Sequence, residues 1–329
     1  MEGAAGARKP VTILDFMKPE DAKTFKKTSL ERIEEIPEKD RILVAVYNIL
    51  FPQRIPPDPK FNNPIGYSFD PQIGLYDNIA FRMTIIIKNI VRAKPDILCL
   101  QEVAPVSIAA LQNSAPLTNL RYKIIYEFHT PNTHGVAILY REEKFKLLQR
   151  ASFTFQLCVI DQNDKTKVKN KKREHLVVDF SDNQTKIIYR VACCHIFSPL
   201  DLGCNRELHT QKILEDVTKM PQIKPIDRVL FCADSNQDQF GDEGELAEGQ
   251  EPSMFLASSF KPLKAENYHI YETIEPDEYV KENFDNGPVS LNKRMTMVIL
   301  SKQHQVRLKP VEGFDPRGSD HKLKQVEVL

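Results

Sequence analysis

Four short apolar runs, each closed by polar side chains, constrain this chain more than any other feature. RILVAVYN closes on Asn48, DILCLQE on Glu102, VACCH on His195 and VLFCAD on Asp234, two residues before Asn236. Apolar stretches of this length, with β-branched residues among them, read as buried strands. A carboxylate, amide or imidazole directly after such a strand stands at a sheet rim, on a rigid scaffold where sites are commonly built. Asp320 and His321, in GSDH before the last short segment, are placed in the same way. Singly, each has a plain structural use: Asn48 can cap a turn, and His195 can be a hydrogen-bonded core histidine. Six placements of one kind point instead to a shared site.

The remaining runs supply a frame around these strands. Strand patterns recur at 122–127, 135–140, 151–157, 174–179, 187–195, 228–232 and 295–300, and helical spacing over 79–91 and 206–218, with Pro95 ending the first helix. Many short strands with few long helices indicate an α+β or sandwich arrangement. Residues 1–40 alternate charged and small residues and read as a peripheral N-terminal arm with a short helix over 29–36, leaving 41–329 as the folded domain. KTKVKNKKR, 165–173, reads most simply as a solvated hairpin tip between two strands, with a nuclear-import or phosphate-contacting loop as the alternative. The acidic, glycine-containing segment 242–251 reads as a surface loop.

Composition narrows the function classes. With 45 basic and 45 acidic residues the net charge is zero, which argues against a protein that coats nucleic acid non-specifically. An enzyme with a local basic cleft stays compatible. No run approaches the ~18 apolar residues of a membrane span, so no membrane partner is expected. The first residues carry no apolar targeting core. Six cysteines, with Cys99, Cys193 and Cys232 inside apolar runs and no C-x-x-C, suit buried thiols in a reducing compartment, cytoplasm or nucleus.

Glu, Asp, Asn and His at strand ends suit metal-assisted hydrolysis of a phosphodiester. Mg²⁺ takes hard oxygen ligands, commonly one or two carboxylates completed by water and phosphate. A further carboxylate can orient or deprotonate the attacking water, while His⁺ and Asn donate to the phosphoryl oxygens.

In order along the chain, YNIL, PDILCLQEV, HGVAILY, VACCHI, Arg206 with Gln211, LFCADSN and GSDH resemble the motif series of the endonuclease/exonuclease/phosphatase superfamily, and most of all its nocturnin and Angel deadenylase branch. The resemblance spans 41–329, with PDILCLQEV its most specific part. It implies a four-layer α/β sandwich of two packed mixed sheets flanked by helices. It further implies Mg²⁺ (or Mn²⁺) held by Glu102 with help from Asn48. Asp234 would orient or activate the nucleophilic water beside Asn236, and His195, Asp320 and His321 would complete the catalytic set around the scissile phosphate. The implied activity is a 3′-exoribonuclease or deadenylase acting on RNA such as poly(A).

The sequence departs from the family pattern in places. His134 stands where the family has Asp before Gly, and Ala233 and Ser235 replace the Gly and Phe of GDFN. In RMTMVILS, Thr296 or Met297, depending on register, takes the place of an Asp that in the family pairs with the terminal histidine. A carboxylate there would keep that histidine charged and fix its tautomer. Its loss supports a second expectation, an impaired homologue that serves as a binding or scaffold protein.

Overall fold

The computed structural model describes residues 41–49, 69–70, 75–76, 79–129, 134–160, 168–197, 206–234, 268–271, 297–302, 306–308, 311, 313 and 323–328. All but Arg41 belong to one unit, Ile42–Leu329. The expected arm over 1–40 and the acidic segment 242–251 lie outside the described residues.

Fourteen described strands run as β1 (Ile42–Asn48), β2 (Phe69–Asp70), β3 (Leu75–Tyr76), β4 (Ile97–Val103), β5 (Tyr122–Phe128), β6 (Gly135–Arg141) and β7 (Phe145–Ile160). They continue as β8 (Val168–Asp182), β9 (Ile188–His195), β10 (Arg228–Asp234), β11 (Tyr268–Tyr271), β12 (Met297–Lys302), β13 (Val306–Leu308) and β14 (Lys324–Val328). The helices are α1 (Ile79–Ala93), α2 (Pro105–Gln112), α3 (Ala115–Asn119) and α4 (Arg206–Lys219). One six-stranded sheet has the order β13-β14-β1-β4-β6-β5, the other β11-β12-β10-β9-β8-β7, and β2 pairs with β3.

Two mixed sheets face each other across a core that includes Val44, Val46, Ile97, Cys99, Ile138, Phe180, Val191, Cys193, Leu230 and Cys232. Helix α1 lays Met83, Ile86 and Ile90 on the outer face of the first sheet, beside Ala45, Leu98 and Leu100. On the second sheet α4 covers Ala192, Cys194 and Ala233 with Ile213, Leu214 and Val217. Helices, sheet, sheet and helix thus form the expected four layers. Because β1, β4, β9 and β10 are central and covered on both faces, their sequences are near-continuous apolar runs rather than alternating ones.

The thiols behave as small hydrophobes. Cys99, Cys193, Cys194 and Cys232 are reduced and buried, and burial, then contact with Cys193 and Cys232, pushes the Cys99 thiol well above its ordinary value.

The basic stretch differs from the expected hairpin tip. Residues 168–173 form the start of β8, in register with β7 from Val168 opposite Ile160 to Arg173 opposite Phe155. Local charge hides this strand: ladder bonds to β7 outweigh the poor strand propensity of lysine, and one residue of the run, Arg173, is buried.

Candidate active site

Topology brings the polar strand ends together. In each sheet the two central strands are parallel: Asn48 pairs with Gln101 across β1 and β4, and Asp234 pairs with His195 across β9 and β10. Parallel neighbours end on the same side, so four carboxyl ends meet at one rim. In open α/β sheets that rim is where ligands bind.

Side-chain parity then selects what faces the gap between the sheets. Along β1, Val44 and Val46 point into the inter-sheet core, so by the two-residue period Asn48 does too. The same count carries Val191 and Cys193 to His195, and Leu230 and Cys232 to Asp234. Glu102 breaks the rule. Counting from Ile97 and Cys99, the inward residue of β4 is Gln101, whose Nε2 reaches Cys193 Sγ at 3.8 Å. Glu102 joins the inward set because the β4–β6 register shifts between Gln101 and Val103 and its own φ is +58°. A bulge re-aims one side chain. For a non-glycine residue the left-handed conformation costs about 1–2 kcal/mol, a strain of the kind that clusters at functional sites.

The result is a compact buried group. Asn48 Nδ2 donates to Asp234 Oδ2 at 2.7 Å and to Glu102 Oε1 at 3.4 Å. His195 Nε2 lies 3.6 Å from Asp234 Oδ2 and 3.9 Å from Glu102 Oε1. Glu102 is 2% exposed and Asp234 fully buried. Two carboxylates taken out of water this close together need cations or donors around them. A small divalent ion with hard oxygen ligands fits that donor set.

Of the expected site residues, Asn48, Glu102, His195 and Asp234 converge. Asn236, Asp320 and His321 lie outside the described residues. For the uncertain penultimate strand, β12 begins at Met297, which pairs directly with Asp234; Thr296 lies outside the described residues.

A second group of residues adjoins the site. Gly135 makes the approach tight: a Cβ there would stand 1.9 Å from Glu127 O. The glycine lets β5 and β6 close, with His129 N donating to His134 O at 3.0 Å, which sets both histidines beside the site. Burial first, then the charge of Arg173 and the nearness of His134, holds His129 well below the ordinary imidazole value. His134 was visible in the sequence as a departure from the family motif. His129, just past an ordinary strand, carried no signal, and Arg173 was visible only as the last member of the basic run.

Comparison with known proteins bears on the fold. The profile of the Endonuclease/Exonuclease/phosphatase family matches residues 78–172, a stretch that includes Glu102 and His134. No curated protein sequence matches the chain. Among solved structures, an endonuclease/exonuclease/phosphatase from Bacteroides vulgatus is similar at TM-score 0.54 and 15% identity, over 88% of this chain and 98% of that one. ANGEL2, described as a 2′,3′-cyclic phosphatase, is similar at TM-score 0.54 and 16% identity, over 88% and 95%. The human nocturnin catalytic domain, with a bound sulfate anion, is similar at TM-score 0.50 and 15% identity, over 88% and 94%. Identities this low speak for the fold. The profile match over 78–172 and the likeness in fold both point to the endonuclease/exonuclease/phosphatase architecture, with nocturnin and Angel-type structures among the structural neighbours.

Proposed function

We propose that this chain is a divalent-metal-dependent phosphoesterase that hydrolyses phosphodiester bonds in RNA, as a 3′-exoribonuclease of the deadenylase kind. The observation that carries the reading is the convergence of Glu102, Asp234, Asn48 and His195 at the carboxyl ends of four central strands. The named neighbours, a 2′,3′-cyclic phosphatase and a catalytic domain holding a sulfate anion, support a phosphoryl substrate.

Glu102 and Asn48 would hold Mg²⁺ or Mn²⁺, which supplies Lewis-acid polarisation of a phosphoryl oxygen when bound. The chain's own residues do the rest. Asp234, fixed by the 2.7 Å bond from Asn48, orients and accepts a proton from the attacking water. His195 donates to the charged phosphoryl oxygens. Asn236, Asp320 and His321 belong to the same proposed set on the strength of the motif resemblance alone.

A second reading has its own observation. Met297, rather than a carboxylate, is the cross-strand partner of Asp234, which favours an impaired homologue acting as a binding protein. Hydrolysis of 5′-labelled poly(A) and mixed-sequence RNA with Mg²⁺ or Mn²⁺, against Glu102→Gln as control, separates the two. Activity lost in the variant supports the enzyme; a folded wild type inert on RNA, DNA and cyclic phosphates transfers the case to the binding protein.

A further inference from the structure

The carboxylate site continues into a row of histidines, of which the proposed hydrolysis uses only the first. The His134 ring lies 6.1 Å from that of His195, and the His129 ring 4.8 Å from that of His134, both edge-on. One ring nitrogen from each of the three falls within 4.8 Å of the others, an arrangement that could hold a metal ion.

The hydrogen bonds argue against a cation. A neutral imidazole has one lone pair. His129 engages its own at Nδ1, which accepts the backbone N–H of Glu174 at 2.8 Å. Arginine only donates, so in the 3.3 Å contact between Arg173 Nη1 and His134 Nε2 the imidazole accepts. Both rings therefore carry their proton on the remaining nitrogen, Nε2 of His129 and Nδ1 of His134. A metal-ligating histidine does the reverse, giving its lone pair to the ion and its N–H to a carbonyl or carboxylate. His129 Nε2 is moreover buried without a hydrogen-bond partner among the described residues. A buried donor wants an acceptor, since leaving it unmade is costly. Arg173, itself buried and lying 4.9 Å over the Phe197 ring, adds a permanent positive charge in the geometry that suits phosphate.

We infer that His129, His134 and Arg173 form an oxyanion subsite beside Glu102 and Asp234, which holds a substrate phosphoryl group flanking the one that reacts. The inference rests on the phosphoesterase reading and narrows its substrate class to molecules with at least two phosphoryl groups.

Its test uses the full chain freed of metal, so that binding is read apart from catalysis. Inorganic phosphate is titrated by calorimetry into wild type, Arg173→Gln and His134→Asp, with folding checked by circular dichroism. Each variant is expected to bind phosphate roughly tenfold more weakly, the loss of one charge-assisted hydrogen bond. If Arg173→Gln does not fold, the half-buried His134→Asp decides alone. ApA is then compared with its 5′-phosphorylated form: the added phosphate should tighten binding to wild type and not to His134→Asp. Equal binding of the two dinucleotides, or phosphate affinity unchanged in a folded variant, overturns the subsite. So does stoichiometric Zn²⁺ uptake by wild type that is lost in His129→Gln, because the trio would then be a metal centre. Phosphate binding intact in a protein that hydrolyses nothing keeps the subsite and removes the enzyme reading.

Discussion

The buried carboxylate pair should make the fold respond to divalent metal, and Glu102→Gln should remove that response. Gln keeps the shape of the side chain, its reach to Asn48 and the backbone at φ +58°, and deletes only the charge. Ligand binding stabilises the native state by RT ln(1 + [L]/Kd), about 2.7 kcal/mol when Mn²⁺ stands at a hundred times its Kd. For a domain of about 290 residues the unfolding entropy is roughly 0.6 kcal/mol per kelvin, so the melting temperature should rise by about 4–5 °C. In Glu102→Gln the rise should fall to near zero. Without metal the variant should melt no lower than wild type, because it no longer holds two carboxylates against each other inside the protein. Differential scanning fluorimetry with EDTA, Mg²⁺ and Mn²⁺ reads both effects. An equal metal response from the two proteins would refute the assignment. A metal-free variant several degrees less stable than wild type would show that the Glu102 charge is fully compensated by the protein itself.

Three other expectations follow from particular contacts. Arg190 donates to both oxygens of Asp179 at 2.8 Å and to the carbonyls of Val217, Met220 and Pro221 around the end of α4; Asp179→Ala should cost about 3–5 kcal/mol by leaving a buried guanidinium without its anion, and a loss under ~1 kcal/mol in urea unfolding would contradict this. His129 and His209 are held neutral well below the ordinary value of 6.5, mainly by burial and then by Arg173 and His175 respectively. The unfolded chain therefore binds more protons as pH drops through 6.5, and the stability these neutral rings provide at neutral pH is lost on acidification, by up to about 1.4 kcal/mol per pH unit for each; His209→Gln should flatten the fall of melting temperature between pH 7 and pH 5, and an unchanged profile counts against it. Met297→Asp, opposite Asp234, should raise the rate of an impaired enzyme by roughly 10²-fold or more, whereas wild-type turnover already at about 1–10³ s⁻¹ would mean that nothing is missing.

What the sequence determined by itself is the set of central strands and which of their ends are polar. Strands buried on both faces must be mostly apolar, so β1, β4, β9 and β10 announce themselves, and the polar residues that close them are conspicuous. The two-residue period even fixes that Asn48, His195 and Asp234 point inward once the core is known. Three things were left to the tertiary structure. The basic residues 168–173 extend a strand because β7 lies alongside to take their backbone bonds, a partner no local pattern reveals. His129 and His134, on either side of the β5–β6 connection, meet Arg173 of β8 and His195 of β9 only because the two sheets close on each other. Glu102 is the clearest case. Its alternation assigns it to the helix-covered face, and only a bulge at a positive φ turns its carboxylate between the sheets, a local break in the two-residue period that a linear pattern cannot record.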